Sequence, residues 1–261
     1  MKARPARRIS PAMINLESVL DSGEHWLSWI EGAESFHAIL RDKVPWDRLD
    51  GPSVAIVQNR LKMASPASQL LLNSLYLTMA SAFEEFLRAT IQEVATRLSA
   101  DMPRYEDLDV GVRNLHLRES ARILRRLDSP PDYLAITISE LCTAIGSCVP
   151  GSDAVTLCAQ ALGDVDSLIK LENFMERMNA LGKQISFDSL AKYPDVAASL
   201  KLARSPIRTV AKALKGCFES ISKNRNRIAH VGGSAADVDR ALMEDHRGVL
   251  RAVANAIAEV G

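Results

Sequence analysis

The sequence predicts an all-α protein, and three observations lead to this prediction. Apolar residues recur at steps of three and four along most of the 261 residues, which is the periodicity of amphipathic helices. Alternating β-branched runs bounded by turns, the pattern typical of strands, are nearly absent. The pairs Ser65-Pro66 and Ser205-Pro206 suit the cap and the first position of a helix. The length fits one large domain or two small ones.

The bulk composition limits the classes of function. Lys and Arg number 32, as do Asp and Glu, so a global basic field for nucleic acid is excluded and any RNA contact must come from local patches. No run approaches the roughly 18 apolar residues of a membrane helix. The four cysteines lack CxxC spacing, which favours idle thiols in a reducing cytosol over a zinc site. We therefore expect a cytoplasmic protein without a metal, another cofactor or a membrane partner.

The first part of the chain predicts a tail and two helices. Residues 1–13 are basic but precede no long apolar stretch, which indicates a flexible tail rather than a secretory signal, or less strongly an arm that contacts RNA. A first helix is predicted over residues 16–41, and the prolines of DKVPWDRLDGPS end it. The second helix opens at Ser65-Pro66 and runs to residue 100. Its apolar stripe consists of Leu72, Leu75, Met79, Phe83, Phe86 and Thr90.

The middle of the chain predicts shorter helices. One is expected to end before Pro130-Pro131, and two more flank a turn at Pro150-Gly151. The amphipathic segment VDSLIKLENFMERMNAL follows and is closed by Gly182. We interpret residues 103–201 as a helical insertion or subdomain within a helical domain spanning residues 14–261.

The stretch KNRNRIAHVGG, residues 223–233, ends the next predicted helix. This helix begins at Ser205-Pro206 and stops at the glycine pair Gly232-Gly233. A last helix is expected to begin near Ser234, with Asp237 at the acidic position of a capping box. The charged and amide-rich stretch thus lies at the end of an otherwise apolar helix face.

On a helical wheel, Arg225 falls within the apolar stripe of its helix. An unpaired buried guanidinium is costly, so Arg225 needs a partner. Asn226 and His230 lie about 100° and about 140° round from Arg225, and their i,i+4 spacing places them on one face. The stripe consists of Ile207, Val210, Leu214, Cys217, Phe218, Ile221 and Ile228.

The remaining polar residues of this stretch are expected to face solvent. Lys223, Asn224 and Arg227 project away from the stripe on the same wheel. The polar cluster of Arg225, Asn226 and His230 is left at the edge of a packed face. A second copy of the helix in a two-fold dimer would cover such a face.

Arginine, asparagine and histidine on one face suit metal-free cleavage of RNA. A general base takes the proton of the 2′-hydroxyl, this oxygen attacks the adjacent phosphorus, and an acid protonates the leaving 5′-oxygen. Histidine performs acid–base steps near neutral pH, and the arginine fork matches phosphate oxygens and stabilises charge building on phosphorus. The alternative is an ordinary solvated helix end, because helix C-termini favour Lys, Arg and His.

The segment RNRIAH, Arg225 to His230, matches the RNxxxH motif of the HEPN superfamily, and the chain resembles that family. Upstream, ASAFEEFLRATI at residues 80–91 resembles the Phe-Glu-centred helix that precedes the motif helix in such proteins. The similarity is greatest to RiboL-PSP-type HEPN domains and their relatives in bacterial conflict systems. The resemblance covers these two helices and the last one but not the middle region, and Val231 stands where family members often have glycine.

The resemblance implies an antiparallel helical bundle that forms a homodimer with one composite ribonuclease site. Arg225 and His230 would be catalytic, Asn226 would support them, and Glu84, the acid after Phe83, is a weaker candidate. Glu84 either reaches the Arg225 cluster or is a solvated edge residue. The implied activity is a metal-independent endoribonuclease, a toxin or defence effector held in check by an antitoxin or regulatory protein.

Two other interpretations stay open. The chain is alternatively a non-catalytic helical module that binds a nucleotide or a protein partner, or the polar cluster only stabilises a dimer. VRNLHLRES, residues 112–120, repeats Arg-Asn but places His116 at a spacing that fails the motif, which favours a polar helix surface. The arginines that follow at helical spacing form either a solvated basic face or an RNA-backbone track. They are Arg118, Arg122, Arg125 and Arg126.

Overall fold

The computed structural model describes residues 10–43, 56, 68–126, 136–231 and 238–260, and no strand occurs in these ranges. The predicted all-α class is confirmed. A 3-10 turn, Tyr105–Asp107, is the one non-α helical element of the described part. The α-helices are α1 (Pro11–Lys43), α2 (Ser68–Asp101), α3 (Val110–Leu124), α4 (Ile138–Ser147), α5 (Ala159–Gly163), α6 (Leu171–Ala180), α7 (Phe187–Leu190), α8 (Pro194–Ser199), α9 (Ile207–Val231) and α10 (Arg240–Val260).

The ends of the first and last helices differ from the prediction. Residues 11–13, predicted as tail, form the first turn of α1, because the Ser10 hydroxyl accepts a hydrogen bond from the Met13 N–H at 3.2 Å and Met13 is buried. The last helix begins at Arg240 rather than near Ser234, because the Asp239 carboxylate caps it by accepting from the Leu242 N–H at 2.8 Å. The predicted signals Ser65-Pro66, Pro130-Pro131, Gly232-Gly233, Ser234 and Asp237 lie outside the described residues.

Helix α2 is the element on which the others are assembled. It packs against α1, α9 and α10 from the two ends of the chain, and against α5 and α6 from the middle region. Residues of the middle region belong to the same main apolar core as α1, α2, α9 and α10. The predicted stripe of α2 is buried at Leu72, Met79, Phe83 and Phe86 and half-buried at Leu75 and Thr90.

The short helices α7 and α8 were not predicted from the sequence. α7 packs against α9, and α8 packs against α10. Hydroxyl groups of Ser186 and Ser189 cap α7 reciprocally, and Pro194 begins α8 at the position where a missing N–H costs nothing. They therefore support the motif helix α9 and the helix that follows it, α10.

Ion pairs connect α1 to α10 along their exposed edges. Arg251 lies 2.9 Å from Glu17, and Arg247 lies 2.7 Å from Glu24. The hydrogen bond from Arg247 is the main cause that lowers the pKa of Glu24. Each such surface pair contributes little to the free energy of folding. We therefore infer that these pairs align α1 with α10 and add little to the stability of the protein.

A buried polar network fixes the end of α9 to the core. The Tyr76 hydroxyl lies 2.8 Å from Nδ1 of His246 and also forms a hydrogen bond with the Asn224 side chain. Burial raises the pKa of Tyr76 and lowers that of His246 to about 4. Asn224 is 8% exposed, and the prediction that it faces solvent is therefore wrong. A helical wheel considers one helix alone, so it could not show that the Tyr76 hydroxyl on a neighbouring helix binds this side chain.

A second buried histidine lies in the middle region. His116 is fully buried, and its Nε2 accepts a hydrogen bond from the Cys158 N–H at 3.0 Å. Burial lowers its pKa to about 4. The prediction of a polar helix surface at His116 is wrong, since α5 packs over this side of α3.

The lowered pKa values of these two histidines predict that the folded protein loses stability in acid. Their folded pKa values of about 4 lie below the value of about 6.5 in an unfolded chain. The unfolded state therefore binds more protons below pH 6.5, and stability present above that pH is lost as the pH falls toward 4. We expect a loss of roughly 3 kcal/mol per histidine over this window, measured by urea unfolding at each pH.

The matched variants are His246→Asn and His25→Asn. The first keeps an acceptor for Tyr76 but removes a buried titrating group, so it should lose about half of the pH dependence. The second removes an exposed imidazole from α1 and should keep the full pH dependence of the wild type. An unchanged pH dependence in His246→Asn would contradict the assignment.

Candidate functional site

The Glu84 carboxylate joins the motif helix α9 to the middle region. Its Oε2 lies 3.3 Å from Nη2 of Arg225, and its Oε1 accepts a hydrogen bond from the Ile169 N–H at 3.1 Å. The Glu84 side chain is 14% exposed, whereas that of Glu85 is 58% exposed. Of the two alternatives for Glu84, the structure therefore has the contact with the Arg225 cluster.

Aromatic packing brings Glu84 to this position. Phe83 is fully buried, and its ring centroid lies 5.6 Å from that of Phe218 on α9. Burial of Phe83 turns the next residue to the rim of the apolar stripe, since successive side chains on a helix are about 100° apart. Glu84 then faces the final turns of α9, where Arg225 lies.

The Arg225 guanidinium contacts both of its predicted neighbours. Nη1 donates a hydrogen bond to Oδ1 of Asn226 at 3.1 Å, while Nη2 faces Glu84. Its side chain is 33% exposed, so the group is held on one side and open to solvent on the other. The expected partner of this arginine on the apolar stripe is thus Glu84.

His230 lies apart from this cluster. Its side chain is exposed on the last turn of α9, four residues beyond Asn226, or about 6 Å along the helix axis. It forms no hydrogen bond or ion pair with another described residue. Within the described part of one chain, the structure brings Glu84, Arg225 and Asn226 together and leaves the exposed imidazole of His230 outside this cluster.

A groove of about 400 Å³ opens beside Asn226, between α6 and α9. Lys223 contributes from α9, while Lys170 and Asn173 contribute from the start of α6. Lys170 directly follows Ile169, whose N–H is bound by Glu84. Sequence reasoning missed Lys170 and Asn173, because the middle region had no motif to align and no spacing relates these residues to α9.

The arginines of α3 do not form one continuous basic face. Arg122 pairs with Glu119 at 3.0 Å and with the buried Asp164 at 2.9 Å. Arg118 also lies 3.1 Å from Glu119, but its side chain remains 69% exposed. Arg177 of α6 also pairs with Glu119, at 3.4 Å, and burial lowers its pKa. The central arginine is thus used within the fold, which leaves Arg118 as an exposed charge of this group.

The described residues contain no cluster of three or more His, Cys, Asp or Glu side chains that could hold a metal ion. Burial raises the pKa of the Cys217 thiol to about 11. None of the described helices is long and apolar enough to cross a membrane.

Known proteins offer no comparison for this site. No family model, curated protein or solved structure matches the chain. The HEPN resemblance therefore depends on the motif RNRIAH and the helix around Phe83, and the functional argument depends on the chemistry of Glu84, Arg225, Asn226 and His230.

Replacing Glu84 tests whether its charge holds Arg225. Glu84→Gln keeps the side-chain length and an oxygen for the Ile169 N–H but removes the attraction to the guanidinium. We expect the free energy of unfolding to fall by about 1 kcal/mol, because this pair is only partly exposed. The measurement is equilibrium unfolding in urea.

The control is Glu85→Gln on the same helix turn. Glu85 is exposed and forms a 3.3 Å ion pair with Arg88, so its replacement should cost less than about 0.5 kcal/mol. Equal effects of the two replacements would show that the Glu84–Arg225 contact adds nothing to stability.

Proposed function

We propose that the chain is a metal-independent endoribonuclease with a HEPN-like antiparallel bundle, which cleaves RNA by attack of a 2′-hydroxyl on the adjacent phosphorus. The observation that supports this most is the arrangement of Arg225. Glu84 and Asn226 hold its guanidinium from one side, while a third of the side chain is exposed. An arginine fixed in this way costs little further ordering when it binds a phosphate.

The proposed roles follow from the chemistry of each side chain. Arg225 binds the non-bridging oxygens and stabilises the charge that builds on phosphorus. Asn226 and Glu84 are positioning residues, since they act through Arg225. His230 moves protons, because its imidazole is exposed and free of described partners.

Two proton transfers favour a homodimer. One group must take the proton of the 2′-hydroxyl, and another must give a proton to the leaving 5′-oxygen. The motif of one chain supplies one histidine, so two copies of α9 facing each other would supply one imidazole as the base and one as the acid. The products are a 2′,3′-cyclic phosphate and a 5′-hydroxyl, with no net gain or loss of protons in the step.

The proposed biological setting is the cytoplasm, where the RNA substrate is exposed. An enzyme that requires only a 2′-hydroxyl and a phosphate threatens the cell's own RNA. We therefore propose a toxin or defence effector that an antitoxin or another regulatory protein restrains.

A second candidate function is a non-catalytic helical module that binds a nucleotide or a protein. The observation in its favour is the ion pair itself, because Glu84 already neutralises Arg225. This candidate predicts binding without turnover. It also predicts that replacing His230 leaves binding unchanged.

RNA cleavage in EDTA separates the two candidates. Wild type should release fragments with 2′,3′-cyclic phosphate ends. Arg225→Ala and His230→Ala should each lower the rate at least about a hundredfold, because charge stabilisation and general acid–base catalysis each contribute on this scale. The ends are identified as cyclic by their resistance to alkaline phosphatase, which removes phosphate monoesters, and by their removal with a polynucleotide kinase that retains its 3′-phosphatase activity.

The control is Arg208→Ala, which removes an exposed arginine from the opposite end of the same helix and should keep the wild-type rate. Equal cleavage by all forms would point to a contaminating nuclease. Absence of cleavage in every form, together with retained nucleotide or protein binding, would favour the second candidate.

A further inference from the structure

We infer that the groove between α6 and α9 binds the backbone of a single RNA strand and continues into a neighbouring pocket at Arg118. This inference rests on the proposed function for the identity of the substrate. The groove, called here the α6–α9 groove, is lined by Lys170, Asn173, Lys223 and Asn226 among others. It therefore begins at a residue of the candidate site itself.

The same carboxylate that holds Arg225 also positions one wall of the groove. Glu84 accepts from the Ile169 N–H, and Lys170 is the next residue. On the opposite wall, Lys223 lies less than one helical turn before Asn226 on α9. A phosphate at Arg225 is thus followed by two ammonium groups that face the same groove.

Asn173 connects the groove to a second pocket of about 120 Å³, whose lining also includes Arg118 and Arg177. The Asn173 amide is fixed because its Nδ2 donates to the carbonyl oxygen of Asp166 at 2.8 Å. One buried terminal nitrogen of Arg177 has no hydrogen-bond acceptor among the described residues. Arg118 and Arg177 both pair with Glu119, at 3.1 and 3.4 Å, but the Arg118 side chain is 69% exposed. Its guanidinium therefore extends the basic lining of the groove into this pocket.

Three carboxylates of these linings limit where phosphates bind. Glu172 is neutralised by Lys215 at 3.3 Å, while Glu176 and Glu219 are exposed. Carboxylates repel phosphates but accept hydrogen bonds from sugar hydroxyls and base amino groups. They therefore confine the backbone to the walls that carry the lysines and favour bases or sugars elsewhere.

The dimensions favour a single strand over a duplex. Pockets of about 400 and 120 Å³ match a single nucleotide or part of one, whereas an A-form duplex presents a broad surface with two phosphate rows. In-line attack by a 2′-hydroxyl also needs a backbone that departs from A-form geometry, and single strands adopt this freely.

The test measures binding of a fluorescent 2′-O-methyl RNA of roughly ten nucleotides, which cannot be cleaved because its nucleophile is blocked. Affinity is measured by fluorescence anisotropy over a range of salt concentrations. Lys170→Ala and Lys223→Ala should each weaken binding several-fold and lower the salt slope by about 0.7, the value for one phosphate contact on a single strand. Arg118→Ala should weaken binding in the same way.

The controls use charges elsewhere on the same helix. Lys212→Ala removes an exposed lysine of α9 that does not line the groove and should leave affinity and salt slope nearly unchanged. Glu219→Gln removes a repulsive charge from the groove and should strengthen binding. Thermal unfolding of each variant verifies that it is folded.

Several results would overturn the inference. Absence of binding, effects of Lys170→Ala and Lys223→Ala no larger than that of Lys212→Ala, or equally tight binding of a duplex would each do so. Tighter binding of an acidic polypeptide at these lysines would assign the groove to a protein partner instead. If binding depends on the lysines but wild type does not cleave RNA, the proposed function fails while the groove inference stands. If wild type cleaves RNA but Lys170→Ala and Lys223→Ala leave binding unchanged, the groove inference fails while the proposed function stands.

Discussion

The candidate site depends on one carboxylate that is shared between two distant parts of the chain. Glu84 binds the Arg225 guanidinium with one oxygen and the Ile169 N–H with the other. Without Glu84, the guanidinium of Arg225 would lie on the apolar stripe with no acidic partner among the described residues, and an unpaired charge in such a place is costly. The placement of Asn226 beside Arg225 and of the loop before α6 beside α9 both follow from this contact. The long helix α2 holds the carboxylate, and the packing of Phe83 on Phe218 fixes its height along α9.

The sequence predicted those features that depend on neighbours along the same helix. Apolar spacing identified the long helices and the buried stripe of α2, and the wheel showed that Arg225 needs a partner. Features that depend on contacts between helices were missed. Asn224 is buried because Tyr76 lies 148 positions earlier in the chain on a facing helix, and His116 because α5 covers it. The groove lysine Lys170 was missed for the same reason.

The charge distribution illustrates how a chain of zero formal net charge keeps local basic surfaces. Many arginines form ion pairs within the fold. Arg122 pairs with Glu119 and Asp164, and others pair along the edge between α1 and α10. The lysines of the groove and Arg118 remain exposed. A count of residue types therefore describes the field far from the protein, while binding at short range depends on which cations the fold leaves exposed to solvent.

The distance along the chain between the groups of the site has a consequence for biosynthesis. Glu84 is separated from Arg225 by 141 residues and from Ile169 by 85. A nascent polypeptide that has emerged only as far as α8 already contains the carboxylate and the lysine-bearing loop, but not the guanidinium or the imidazole. Whatever chemistry the cluster performs is therefore withheld until α9 leaves the ribosome and docks on α2. The order of translation thus delays the assembly of the site without any additional inhibitory segment.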